Sequence, residues 1–404
     1  MKKNTFYLLL TLFFLLLLVD TSAQTDFLHH RRYAKALFEQ GKYAESLAYM
    51  KTKMQNQSEN KEVLFLTGEC LHAQKKYEQA ISFFARAGKQ KHKQANLMLA
   101  RCYACMGRVQ PAVEHLKLYL KNKDKLLRSE LLLNPDFKNI EKDKKWTNLW
   151  KSKFYTSYEK KIQEAKHAID LRKYAMAYAL LDELLLKNAN RHKALAMRAY
   201  LAEQTGDYKL AVRDFRQAAS VRKKSFVYQW GLARNLARIK KYTKSLKVYE
   251  SAVFRKTDEV AFMKDKAQTE FKAGKAERSE ATVRDYLRYY PDDASGHHLL
   301  GKILANRGEN MEALEQFGKA LSEDSSVAYY FADRAEVYGN IEMYKNAVDD
   351  YSMALDLQPN KGEFYYKRGV IHLHIDKERA CTDFKRAKSL AWHTADDFIV
   401  KYCQ

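Results

Sequence analysis

Small and apolar positions recur every 34 residues along most of the chain. One complete segment runs from Ala328 to Lys361, and the same step gives further starts at Tyr158, His192, Phe226, Val260, Ala294 and Gly362. The eighth place of these segments is always Ala or Gly, as Ala165, Ala199, Ala233, Ala267, Gly301, Ala335 and Gly369. Small residues are expected where two helices cross closely, because longer side chains would push the backbones apart. The pattern predicts a regular array of paired helices.

A second set of places, spaced as on one face of a helix, alternates rings with small residues. Place 17 holds Tyr174, Tyr208, Tyr242 and Tyr344, and place 20 holds Ala177, Ala211, Ala313 and Ala347. Pro291 and Pro359 close two segments at place 32. This pattern resembles the tetratricopeptide repeat (TPR), a pair of antiparallel helices. The resemblance implies an all-α fold, an α-solenoid of about ten helix-turn-helix repeats in a right-handed superhelix.

The first 23 residues have the pattern of a secretory signal peptide. Lys2 and Lys3 precede an apolar run from Phe6 to Val19, and Thr21-Ser22-Ala23 forms a cleavage site before Gln24. A membrane span needs about 20 apolar residues, so the run is short for one, although a retained N-terminal anchor stays an alternative. No later run is long enough to cross a bilayer. We therefore expect an exported protein of a bacterial periplasm or cell-envelope surface, with no transmembrane segment in the mature chain.

The repeat register divides the rest of the chain into blocks. Residues 24–125 fit three N-terminal repeats, residues 126–157 break the register, residues 158–390 fit seven repeats in two-helix form, and residues 391–404 fit a capping helix. Asn134-Pro135 predicts a helix start inside the break, and Trp146, Leu149 and Trp150 form an apolar stripe. We expect 126–157 to be a helical cap and connector. A tryptophan-lined ligand site is the alternative.

The chain is strongly basic, with 72 Lys and Arg against 49 Asp and Glu and a formal net charge of +23. Such a charge favours acidic partners. Export argues against nucleic acid, so an acidic protein or peptide, or an anionic envelope polymer, is the expected partner class. A solvated basic surface without a dedicated ligand is the alternative.

The five cysteines suggest packing more than chemistry. Cys70 and Cys102 occupy place 10 of successive repeats, where small core residues are expected, although a disulfide among Cys70, Cys102 and Cys105, or a metal or redox role, stays open. Cys381 and Cys403 are a candidate disulfide that would tie the capping helix to the last repeat, since an exported location is oxidising.

The sequence contains no recognised catalytic or cofactor motif. The 12 His residues show no metal-ligand spacing with Cys, Asp or Glu, and no phosphate-cradling glycine loop is present. We therefore expect no enzyme, no catalytic residues, no metal and no cofactor.

The TPR resemblance implies that first helices line a concave groove, with places 2, 5, 9, 12 and 13 facing into it. On this register the candidate groove residues are Tyr200, Trp230, Arg234, Arg238, Lys264, Phe271, Lys272, His298, Lys302 and Tyr329, with Glu203 and Glu336 as acidic exceptions. Such a basic, aromatic-lined groove suits an extended peptide that carries carboxylates. The expected function is a noncatalytic scaffold for protein–protein interaction. The alternative is diffuse binding of an anionic envelope glycan or lipid.

Overall fold

A computed structural model of the chain describes residues 26–403. The predicted signal peptide and Gln404 lie outside this range. Residues 26–403 contain helices and no strand, and none of these helices is both long and apolar enough to cross a membrane. The all-α prediction is confirmed.

The helices follow one another with short turns. They are α1 (described over 26–39), α2 (Tyr43–Lys53), α3 (Lys61–Ala73), α4 (Tyr77–Lys89), α5 (Ala95–Cys105), α6 (Val109–Leu120), α7 (Arg128–Leu132), α8 (Lys144–Leu149), α9 (Ser157–Asp170), α10 (Tyr174–Lys187), α11 (His192–Gln204), α12 (Tyr208–Val221), α13 (Phe226–Arg238), α14 (Tyr242–Tyr249), α15 (Ala252–Lys256), α16 (Phe262–Lys272), α17 (Ala276–Tyr289), α18 (Ala294–Asn306), α19 (Asn310–Glu323), α20 (Ala328–Asn340), α21 (Tyr344–Leu357), α22 (Gly362–His372), α23 (Lys377–Ser389) and α24 (Thr394–Tyr402). Short 3₁₀ helices span Gln55–Gln57 and Pro135–Ile140.

The small residues at place 8 lie where the two helices of a repeat cross. Ala165, Ala199 and Ala335 are fully buried. At Gly301 an added Cβ would lie 2.8 Å from Cε1 of Phe317, which occupies place 24 on the second helix of the same repeat. The ring therefore fills the space that the missing side chain leaves, which is the physical reason for the pattern.

The turn between the two helices uses a left-handed residue at place 15. Gly206 and Gly308 have φ of 83° and 81°, which glycine adopts without strain. Arg172, Lys240 and Glu342 occupy the same place with φ of 56°, 59° and 62°. The turn geometry is thus imposed by the helix packing even where a side chain makes it costly.

The chain forms two compact units, which we call unit 1 (residues up to Val260) and unit 2 (Ala261 onwards). Their boundary follows an interruption in the second helix of one repeat, where α14 ends at Tyr249 and α15 covers only Ala252–Lys256. This boundary lies inside the stretch 158–390, and the block limits drawn from the repeat register remain predictions.

The connector between residues 126 and 157 has its own small core within unit 1. The Asn134 side chain caps the 3₁₀ helix by accepting a hydrogen bond of 3.0 Å from the Asp136 amide. Trp146 and Leu149 are only 3% and 2% exposed, and the Trp146 ring stacks on Phe137 at 4.9 Å. Trp146 thus packs in the core instead of lining a ligand site.

The C-terminal helix α24 covers the last repeat of unit 2. The Phe398 ring lies 5.2 Å from the rings of Phe384 and Tyr366. The structure joins Cys381 to Cys403 in a disulfide whose Cα atoms are 5.4 Å apart. Cys70, Cys102 and Cys105 are free, and the first two are fully buried.

Candidate functional site

The first helices α16, α18 and α20 of unit 2 lie side by side, and α16 and α18 line a concave pocket of about 380 Å³. Its lining consists of Lys264, Asp265, Gln268, Phe271, Lys272, Ser295, His298, Leu299 and Lys302. Several predicted groove residues are therefore brought together here. Because they come from helices one repeat apart, the spacing of repeats places them on one surface.

A second pocket of about 240 Å³ continues the first and shares Phe271 and Lys302 with it. Its remaining lining is Ala305, Asn306, Phe317, Asp333, Glu336, Val337 and Asn340. We call the two pockets together the unit 2 groove. It offers the half-buried ring of Phe271, several side-chain amides and charges of both signs along three successive repeats.

Lys264 is held at one end of this groove by an acidic partner. Its Nζ lies 3.0 Å from Oδ2 of Asp293 and donates to Oγ of Ser295 at 2.6 Å. Burial favours the neutral acid at Asp293, but the Ser295 hydrogen bond and the Lys264 charge outweigh it and lower the pKa of Asp293. The Lys264 charge is thus compensated within the protein.

His298 and Lys302 share the carboxylate of Asp333 in the middle of the groove. His298 Nε2 and Lys302 Nζ lie 2.8 and 2.9 Å from Oδ2 of Asp333. Burial acts to raise the pKa of Asp333, but the hydrogen bond with His298 and the charge of Lys302 prevail and lower it. Asp333 is therefore ionised at neutral pH, and the groove is less basic than the sequence suggests.

Lys272 and Tyr329, like Lys302, are exposed among the predicted groove residues of unit 2. Lys272 is exposed at the edge of the groove. Tyr329 is 37% exposed, and its ring meets Phe364 edge-on at 5.2 Å, with Nζ of Lys361 5.5 Å from the ring centroid. Tyr329 lines neither pocket of the groove.

The other predicted groove residues belong to unit 1. Arg234 Nη2 donates to Oε2 of Glu203 at 2.7 Å, and Arg238 Nε lies 3.8 Å from Oε1 of the same residue. The Arg234 guanidinium also lies 5.7 Å from the Trp230 ring. Tyr200 packs edge-on against Phe215 at 4.9 Å. These residues form a second paired cluster, described separately from the unit 2 groove.

The acidic partners Asp293 and Asp333 were not among the residues that the sequence singled out. Lys264–Asp293, Lys302–Asp333 and Glu203–Arg234 are separated by 29, 31 and 31 residues. Opposite charges about one repeat apart could have identified them, because neighbouring first helices bring such positions into contact.

Helix pairs that stack in succession, with first helices lining a groove, define an α-solenoid. Tetratricopeptide repeat models match residues 37–96, 192–225 and 264–328, and a model of YpiA-like, C-terminal tetratricopeptide repeats matches 227–293. The chain belongs to the tetratricopeptide-repeat family, as the sequence predicts. Proteins of this family typically act as noncatalytic scaffolds for protein–protein interaction.

Similarity to individual proteins is limited to parts of their length. The small glutamine-rich tetratricopeptide repeat-containing protein of Dictyostelium discoideum is 33% identical over 69 residues, 17% of this chain and 21% of that protein. An N-terminal acetyltransferase A complex subunit-like protein of Schizosaccharomyces pombe is 27% identical over 119 residues, 30% of this chain and 17% of that protein. The chain thus spans about a fifth of these relatives.

Two solved structures share the fold. The APC/C hetero-tetramer Cut9-Hcn1 gives a TM-score of 0.50 at 14% identity, over 92% of this chain and 83% of that one. A tetratricopeptide repeat protein from Parabacteroides merdae gives 0.52 at 18% identity, over 61% of this chain and 99% of that one. At these identities the similarity concerns the fold alone.

Proposed function

We propose that the protein is a noncatalytic scaffold that holds an extended segment of a partner protein along the unit 2 groove. The observation that carries the proposal is the continuous concave lining over α16, α18 and α20, with Phe271 between its two pockets. A peptide in such a groove meets a preformed surface, so little ordering of the scaffold opposes binding.

The groove supplies separate contacts for each part of a peptide. Phe271 offers apolar area, and Gln268, Asn306 and Asn340 offer amides that can pair with a peptide backbone. Exposed Lys272 and Lys302 can donate charge-assisted hydrogen bonds to side-chain carboxylates. An acidic segment is therefore the partner chemistry that we propose, with the acidic groups near these lysines.

We further propose that the protein acts outside the cytoplasm, in a bacterial periplasm or at an envelope surface. The signal-like pattern of residues 1–23 supports this location. The Cys381–Cys403 disulfide adds support, because such bonds persist in oxidising compartments.

The Cut9-Hcn1 structure supports a scaffold role by analogy. It shows a protein of this fold assembled with another chain. Shared fold does not identify a partner, so the partner must be found by experiment.

In-cell photo-crosslinking tests the peptide groove. A benzophenone amino acid replaces Phe271, an aromatic residue of the groove, and in the matched control it replaces Met311, which is 74% exposed on the second helix α19. We expect a discrete protein adduct from position 271 that is missing from position 311. The same adducts from both positions, or none from 271, would reject the groove.

A second candidate function rests on a basic surface in unit 1. Pockets of about 380 and 470 Å³ adjoin there and share Tyr158 and Arg191. Their charged lining is Lys121, Lys123, Asp124, Lys125, Glu159, Lys160, Lys161, Glu164, Lys187, Arg191, Lys193 and Arg222. Cations outnumber acids, so this surface favours an anionic envelope lipid or glycan.

Binding to vesicles separates the two candidates. With vesicles rich in phosphatidylglycerol, the double variant Arg191→Glu and Lys193→Glu should lose binding. Binding of the wild type should fall steeply as the salt concentration rises, because salt screens the same electrostatic attraction. The corresponding reversal Lys319→Glu in unit 2 is the control. Equal binding by all three proteins would exclude the basic surface as the site.

A further inference from the structure

A cluster of potential metal ligands lies within unit 1 and shares no residue with the basic surface of that unit. His72 near the end of α3, Cys105 at the end of α5 and Asp136 at the start of the connector's 3₁₀ helix converge there. One donor atom from each, the His72 ring nitrogen, the Cys105 sulfur and an Asp136 oxygen, lie within 4.8 Å of one another. Each side chain is half-buried.

The three side chains of the cluster already contact one another or a close neighbour. His72 Nε2 is buried and pairs with Oδ2 of Asp136 at 3.2 Å. The Cys105 side chain interacts with the Tyr77 side chain and makes a long contact of 3.8 Å with the Asp136 carbonyl oxygen. A metal ion bound among the imidazole nitrogen, the thiol sulfur and the carboxylate would replace these contacts with direct bonds to all three.

We propose that His72, Cys105 and Asp136 form a binding site for a divalent transition-metal ion of the zinc class. Imidazole, thiolate and carboxylate together favour zinc over magnesium or calcium, which prefer oxygen ligands. Zinc ligands lie at about 2.0–2.3 Å from the metal, which places them roughly 3–4 Å from one another. The cluster is near this size. On binding, the Cys105 sulfur loses its proton to solvent and forms the bond to the metal.

Arg101 is the group that opposes this ion. Its Nε donates to Oδ2 of Asp136 at 2.6 Å, so a metal must share the carboxylate with a guanidinium. The two positive charges repel each other, and the carboxylate can serve both only through different oxygens. Removal of the guanidinium should therefore strengthen metal binding. If the cluster were an ion pair alone, the same removal would only destabilise the contact between Arg101 and Asp136.

The ion would tie the connector to the N-terminal repeats. His72 and Cys105 come from successive repeats, and Asp136 belongs to the segment that interrupts the repeat pattern. The ligands are separated by about one repeat each, and they therefore match no short metal motif in the sequence.

Cobalt(II) is a suitable probe, because a thiolate ligand gives a sulfur-to-cobalt charge-transfer band in the near ultraviolet. The full chain would be reduced, stripped of metal with a chelator and titrated with Co²⁺. We expect this band to saturate at one ion per chain and to disappear when Zn²⁺ is added. A folded wild-type protein that gives no such band would overturn the proposal.

Variants identify the ligands. Cys105→Ser should abolish the charge-transfer band, while Cys102→Ser, which removes the neighbouring thiol on the same helix, should retain it. Asp136→Asn should weaken Co²⁺ binding at least about tenfold, and Arg101→Gln should tighten it. Circular dichroism would establish that each variant is folded. A band that survives in Cys105→Ser, or weaker binding in Arg101→Gln, would contradict the site.

Discussion

Arg32 Nε donates a hydrogen bond of 2.9 Å to the backbone carbonyl oxygen of Thr257, which lies 225 residues later in the chain. Arg32 Nη2 also donates to the carbonyl of Phe254 at 3.2 Å, and Arg31 pairs with Asp258 at 3.3 Å. In an open array of repeats each repeat contacts only its neighbours. Unit 1 departs from this rule, because its first described helix contacts its last residues.

The variant Arg32→Ala tests this contact. It leaves two backbone acceptors without their charged donor, so we expect it to destabilise unit 1 by about 1–3 kcal/mol. Amide hydrogen exchange should show faster exchange in residues 251–260. Arg108→Ala removes an exposed pair with Glu78 and is the control, with an expected change of under about 0.5 kcal/mol. Equal effects of the two substitutions would refute a specific role for Arg32.

Two glycines on neighbouring helices predict opposite effects of the same substitution. Gly301→Ala places a Cβ 2.8 Å from Phe317 and should destabilise by about 1–3 kcal/mol, because the core is overpacked. Gly318→Ala meets nothing within 4 Å and should stabilise by about 0.5–1 kcal/mol, because alanine favours the helix. Urea unfolding of both variants measures the difference. A change in the free energy of unfolding that has the same sign in both variants would contradict the close helix crossing at Gly301.

The Cys381–Cys403 disulfide should stabilise the C-terminal helix α24. The bond closes a loop with a sequence separation of 22, for which chain entropy gives about 3 kcal/mol. Replacing both cysteines by Ser should therefore increase hydrogen exchange over Thr394–Tyr402. Reductant should have the same effect on the wild type and no further effect on the double variant. Unchanged exchange in the reduced wild type would show that packing alone holds the helix.

Glu69 predicts a pH dependence of stability. Burial raises the pKa of Glu69 from 4.5 to about 7, although Lys35, His92 and Arg101 favour its charged form, while Asp258 disfavours it. The folded state thus binds the proton more tightly than the unfolded state. The contribution of Glu69 to the free energy of unfolding is fully present below pH 4.5 and is lost as the pH rises through 7.

Glu69→Gln should remove this loss. The variant should be more stable than the wild type at pH 8 by about 2–3 kcal/mol and nearly equal to it at pH 4. Urea unfolding at a series of pH values measures the difference. Glu45→Gln, at an exposed position of α2, is the control. A difference between Glu69→Gln and wild type that does not grow with pH would reject the assignment.

Substitutions in the unit 2 groove should weaken binding of a partner identified by crosslinking. Phe271→Ala should cost on the order of 2 kcal/mol, since it removes the shared aromatic wall. Lys272→Glu should weaken binding strongly at low salt and less at high salt. Isothermal calorimetry measures both, with Lys319→Glu on α19 as the control. An affinity that is unchanged by both groove substitutions would show that the partner binds elsewhere.

Much of the fold follows from local pattern. The small residues at place 8 predict the helix crossings, because the ring that packs on each of them lies in the same repeat, as Phe317 does for Gly301. The contact between Arg32 and Thr257 has no such signal, since it depends on the summed rotation of many repeats. The interruption after Tyr249 was also missed, because the 34-residue register continues through it.

The repeat register predicts which residues lie near one another better than it predicts their charge state. Lys264, Phe271, Lys272, His298 and Lys302 do meet in one groove, because repeat geometry alone brings them together. Their electrostatic state depends on Asp293 and Asp333, whose places lie outside those expected to face the groove. Ion pairs between helices determine the net charge that a partner encounters at the groove. The residue pattern of a single helix does not reveal these pairs.

The charge pairs between adjacent first helices also limit how the repeats can be exchanged. Glu203–Arg234, Lys302–Asp333 and Glu336–Lys367 each join one repeat to the next. A repeat moved to another position would meet the wrong partner at both of its faces. Each repeat is therefore specific to its position in the array. A substitution that reverses one charge of a pair should be tolerated best when the charge of its partner residue is reversed as well.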